Sequence, residues 1–142
     1  MTPAQLQEIA DRMHSAAIHL LRRVRVQDAA SGISPARLSA LSVIVFAGPI
    51  SLQDLARTEQ VRPPTMSRIV DALQAAGLAR RTVNAQDRRS VLIEATPRGA
   101  AMLKAGRRRR VRFLAAHLAQ LSAAQLEELD RSLRALQEVL SR

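Results

Sequence analysis

Residues Val61 to Gly99, VRPPTMSRIVDALQAAGLARRTVNAQDRRSVLIEATPRG, constrain this chain more than any other stretch. They set a helix between a proline pair and a glycine, then turn the chain back on itself. Met66, Ile69, Val70 and Leu73 recur at the i, i+3, i+4, i+7 spacing that gathers apolar side chains on one side of a helix. At about 100° per residue, Pro64, Arg68, Asp71 and Ala75 point away from that side, flanked by Thr65, Ser67 and Ala72. Pro63 and Pro64 fit only in the first turn, where backbone donors have no intrahelical partner, so they fix the helix start. Gly77 supplies the left-handed residue that ends it.

Two strand-like segments follow, Arg80 to Asn84 and Ser90 to Ala95, around the polar tip Ala85-Gln86-Asp87-Arg88-Arg89, and they predict a hairpin. A helix with an exposed arginine and hydroxyls, followed by a hairpin with arginines at its tip, offers two probes for duplex DNA. One has the size to enter the major groove, and the other reaches the adjacent minor groove or backbone. This is the geometry of a winged helix-turn-helix, so the expected fold is mainly α with a small β-hairpin wing.

Charge placement agrees. The net charge is +10, and residues 57–112 hold 14 Lys/Arg against four acids while the remainder is balanced at eight of each. A neutral frame around a basic middle is the electrostatic footprint of a phosphate-binding surface. Phe46 and Phe113 are the only aromatic residues. Both are expected in the core, which leaves no platform for the base stacking that single-strand and RNA readers use. Duplex DNA is the better polyanion.

At 142 residues and 47% hydrophobic, the chain is expected to be one domain with its own core. Without cysteine there is no disulfide, thiol switch or thiolate metal site. His14 and His19 lie about 140° apart around a helix and His117 is alone, so neither metal nor cofactor is expected. With no glycine-rich phosphate loop, paired-carboxylate signature or zinc spacing, an enzyme is not expected either. The N-terminus carries no secretory pattern, and the apolar run Leu41 to Ile50 falls short of the roughly 20 residues that cross a bilayer, so a cytoplasmic location and no membrane partner are expected.

On either side of the basic middle lie helices with apolar seams. Leu6, Ile9, Met13, Ala17, Leu20 and Val24 repeat at three- and four-residue steps, predicting a helix from Leu6 to Asp28 that Ser31-Gly32 ends. Ser34-Pro35 and Thr96-Pro97 are cap-plus-proline helix starts, and Ser51 to Asp54 resembles a capping box with a shortened acid. Ser122 to Gln125 is a capping box for a last helix in which Leu126, Leu129, Leu133, Leu136 and Leu140 form an a/d seam. Two such seams exceed what a small winged lobe needs to cover. A dimer interface is the expected use, against the alternative that both pack within one subunit.

On these motifs the chain resembles the MarR family of bacterial transcriptional regulators. The resemblance spans nearly all of it: helix order, SLQDLA, TMSR on the recognition helix, AAGLARR, and DRRSVLIEATPRG, similar to the family's wing signature of an Asp-Arg-Arg tip, a strand, Thr, two residues and Gly. It implies one domain over residues 1–142, with a winged lobe at about 34–99 and dimerisation helices at about 5–30 and 97–141. It further implies a homodimer on the bacterial nucleoid that reads a palindromic operator, with a small anionic or phenolic ligand between dimer helices and lobe. DNA-contacting residues would then be Arg62, Pro64, Thr65, Ser67 and Arg68 on the helix, with Arg88 or Arg89 entering the minor groove. The other wing arginine would pair with Asp71 or Asp87 and hold wing to helix. In two respects the chain departs from the common pattern: Pro63-Pro64 is an unusual start to the recognition helix, and without Trp or Tyr there is no stacking partner for a phenol.

The expected function is a repressor that occupies two half-sites about one helical turn apart and is released by an effector. A winged-helix module that docks on DNA without sequence preference, or on protein, is the alternative. Arg107 to Arg110 point in four directions around a helix and are expected to form a solvated face.

Overall fold

A computed structural model describes residues 1–141. The chain opens with α1, Pro3–Arg25, started by a capping box in which the Thr2 hydroxyl accepts from Gln5 N and the Gln5 side chain accepts from Thr2 N. A 3-10 turn, Val26–Ser31, follows and ends at Gly32, whose φ of 73° is left-handed. Ser34 caps α2, Pro35–Ala47. A two-residue strand, β1 at Ile50–Ser51, leads into α3, Leu52–Thr58, for which Ser51 is also the cap. Then come α4, Pro63–Ala75; the strands β2, Ala79–Val83, and β3, Val91–Ala95; and α5, Pro97–Leu118, capped by Thr96. The last helix, α6, Ala123–Leu140, begins with the capping box at Ser122 and Gln125.

The wing is larger than the hairpin that the sequence predicts. Strand β1 joins β3 and makes an antiparallel sheet of order β1-β3-β2, with Ile50 opposite Ile93 and Ser51 opposite Leu92. It ties the base of the wing to the start of α3.

All the fully buried apolar side chains lie in the middle of the chain. Leu41 and Ile44 of α2, Leu55 of α3, Met66, Val70 and Leu73 of α4, Leu78 after it and Ile93 of β3 form one core, closed by Leu103 of α5. By contrast, α1 and α6 contain no buried residue. The lobe is therefore packed while the two long helices at its ends leave their apolar seams uncovered.

Three expectations are corrected. Phe46 is not in the core: it is 81% exposed at the end of α2, because the core-facing positions of that helix are Leu41 and Ile44. Phe113 is only half-buried, with its ring 4.4 Å from that of His117. The arginine run is not wholly a solvated face either. Arg110 is ion-paired with Asp28 of the 3-10 turn and Arg109 Nε donates to Gln27 O at 3.4 Å, so half of the run fastens α5 to the joint between α1 and α2.

Candidate nucleic-acid interface

Why α4 presents its basic face outward follows from its packing. Met66, Val70 and Leu73 are buried against α2 and α3, which leaves Pro64, Thr65, Arg68 and Asp71 exposed and Ser67 half-buried at the margin. Arg62 sits at the N-cap without a side-chain cap, and the helix needs none. Pro63 and Pro64 have no N–H, and Met66 N donates to Arg62 O at 3.0 Å, so Thr65 alone among the first four residues keeps a free backbone donor. A phosphate at this end would meet a single amide. The side chains of Arg62, Thr65 and Arg68 are left to carry the contact.

Gly77, at φ 70°, turns the chain from α4 into the wing. Its carbonyl accepts from the Thr96 hydroxyl at 2.6 Å, and that hydroxyl oxygen in turn accepts from Gly99 N at 3.1 Å as the cap of α5. A side chain at Gly99 would put its Cβ 2.1 Å from Leu78 O. The Thr-x-x-Gly part of the wing signature thus clamps the two ends of the hairpin to the helices on either side.

Wing and recognition helix are joined by Arg81. Its guanidinium donates to Asp71 Oδ1 and to Gln74 Oε1, both at 2.7 Å. The family resemblance points to Arg88 or Arg89 for this role, and that pairing is corrected: Asp71 does bind the wing, but through β2. Asp87 does not reach the helix. Its carboxylate accepts from Arg89 N at 3.0 Å and shapes the tip. Arg81 was legible in principle, because strand alternation puts it on the same sheet face as Ala79, toward α4.

The cations divide accordingly. Arg57, Arg80, Arg81 and Arg110 are held by Asp54, Glu94, Asp71 and Asp28. Among the described residues, Arg62, Arg68, Arg88 and Arg89 form no ion pair, so a phosphate can bind them without breaking one. No group of His, Asp and Glu among the described residues is placed to hold a metal ion. No single described helix is long and apolar enough to cross a membrane.

Comparison with known proteins decides the family. The family model described as the MarR family matches residues 33–91. The HTH-type transcriptional regulator Mb0904 of Mycobacterium bovis is 34% identical over 121 residues, 85% of either chain. The chain belongs to the MarR family. Its fold agrees with those of solved relatives: the transcriptional regulator Tm0710 of Thermotoga maritima superposes with a TM-score of 0.86 at 24% identity over 96% of both chains. A mutant of MepR from S. aureus, solved bound to an oligodeoxyribonucleotide, superposes with a TM-score of 0.71 at 19% identity over 93% of this chain and 97% of that one. As a MarR-family member the protein is a DNA-binding transcriptional regulator with a winged helix-turn-helix lobe, and the exposed faces of α4 and the wing are its candidate DNA-contacting surface.

Proposed function

We propose that the protein is a homodimeric repressor that binds an inverted-repeat operator, α4 of each lobe lying in a major groove and each wing reaching the flanking minor groove. The observation that carries this reading is the pair of uncovered seams. Leu6, Ile9, Met13 and Leu20 of α1 and Leu126, Leu133 and Leu140 of α6 are 37–72% exposed in the isolated chain. Leu129 and Leu136 of α6 are half-buried. A soluble monomer rarely exposes so much aligned apolar surface, and a second copy covers it. That a MepR mutant was solved bound to an oligodeoxyribonucleotide supports DNA as the other partner.

Repression follows by occupancy: two lobes matched to half-sites about 34–36 Å apart exclude other proteins from the same duplex. An effector that binds the dimer more tightly at a different lobe separation lowers operator affinity by the ratio of its two binding constants. A small anion suits this chain better than a phenol. Lys104, Arg107, Arg108 and Arg112 surround Val111 on one exposed face of α5, and the sequence contains no Trp or Tyr.

Selection of bound duplexes from a random pool tests the proposal. The expected product is an inverted repeat bound at least about 10³-fold more tightly than random duplex. Equal binding to all duplexes would leave the non-specific module, and a panel of small carboxylates without effect on affinity would remove the switch.

A further inference from the structure

Residues opposite each other in an antiparallel ladder share a face, and faces alternate along each strand. In the wing, Ala79 lies opposite Ala95, Arg81 opposite Ile93 and Val83 opposite Val91, so these three pairs line one side of the sheet. At the base this side belongs to the core, with Ala79 and Ile93 buried. One step out, Arg81 crosses to Asp71 and Gln74 on the recognition helix. Two residues beyond, about 7 Å further along the strands, the same side ends in Val83 and Val91, which are 65% and 47% exposed.

We propose that the Val83–Val91 pair is an apolar DNA contact, seated on the deoxyribose faces of the strand that passes between the groove holding α4 and the groove reached by the wing tip. This rests on the proposed binding of duplex DNA. Three observations select that duplex as the occupant. The face continues the Arg81 bridge toward the recognition helix, so it looks into the gap that a DNA strand fills when both elements are engaged. It lies between cations free to bind phosphate, with Arg68 on the helix side and Arg88 and Arg89 at the tip. Of the acids beside it, Asp71 is paired with Arg81 and Glu94 is held by Arg80 on the opposite face, and the remaining one, Asp87, accepts from Arg89 N within a tip that also carries Arg88 and Arg89. Between two phosphate contacts the exposed part of a DNA strand is the sugar, whose C–H surface is the apolar portion of the backbone.

The test is the double substitution Val83→Thr and Val91→Thr, which keeps β-branching and strand propensity while replacing a methyl by a hydroxyl at each position. Affinity is measured for the duplex that the wild-type protein selects from a random pool, across a series of salt concentrations, together with molecular mass and thermal midpoint. Binding is expected to weaken about tenfold with the log-log salt slope unchanged, since the substitution removes apolar burial and leaves every phosphate neutralised as before. Unchanged affinity overturns the inference. A shallower slope or a lower thermal midpoint would assign the pair to holding the hairpin in place, and a change in mass would assign it to contact between chains; each overturns it as well. Failure of the wild-type protein to bind any duplex would instead overturn the DNA-binding reading itself.

Discussion

Arg68 stands on the exposed side of α4 and forms no ion pair among the described residues, whereas Arg81, thirteen positions on, is held by Asp71 and Gln74. The two arginines should therefore respond differently to removal. Arg68→Ala is expected to weaken operator binding by about 1–3 kcal/mol with relaxed base preference and no loss of fold, read by gel-shift titration against operator variants. For Arg88 and Arg89, replacement of both by Ala should flatten the log-log salt dependence by about 0.9 for each phosphate no longer neutralised. Gly99 makes the opposite kind of prediction. Because its Cβ would stand 2.1 Å from Leu78 O, Gly99→Ala forces backbone apart and is expected to destabilise the lobe by about 1–3 kcal/mol in urea unfolding. Arg68 was legible in the sequence because helical periodicity alone sets which face of α4 is wet. Phe46 was not, since apolar character says a side chain can be buried without saying that a given helix turn faces the core.

At the scale of elements, sequence patterns located most helix starts because they are written in local chemistry: hydroxyl caps at Ser34, Ser51, Thr96 and Ser122, and prolines in first turns. The first helix is the exception: apolar periodicity places it at Leu6 to Asp28, but the Thr2 cap starts it at Pro3 and the 3-10 turn replaces it after Arg25. The strand β1 left no such trace. Two residues are too few for alternation, and Ile50–Ser51 becomes a strand only because β3 offers it a partner across more than forty residues of sequence. The same holds for the joint between the outer helices and the lobe. A run of four arginines reads as one solvated block until Asp28 and Gln27 are brought against two of them. Arg110 and Asp28 are 29% and 24% exposed, sheltered enough for their charge-assisted bond to matter. Asp28→Asn is expected to cost about 1–3 kcal/mol, seen as a lower urea midpoint, while Arg107→Ala on the exposed side of the same run should stay within about 0.5 kcal/mol.

The described residues form one packed lobe between two helices in which no side chain is fully buried, and this separates folding from assembly. Every core residue lies between Ala40 and Leu103, so a charge placed on the α6 seam leaves the lobe's packing untouched. Leu133, 46% exposed in the middle of that seam, is the position to change. Leu133→Glu puts a carboxylate where the proposed partner's apolar side chains meet, and desolvating it unpaired costs several kcal/mol. The expected outcome is a species of half the wild-type mass in sedimentation, with the helical signal retained. Its DNA binding then reports the geometry. The salt slope scales with the number of phosphates neutralised, so a single lobe should show about half the slope of the dimer, and its preference for an intact inverted repeat over a lone half-site should vanish. If Leu133→Glu kept the wild-type mass, α6 would not be the interface. A variant of half the wild-type mass that kept the full slope would mean that only one lobe of the dimer had ever touched DNA.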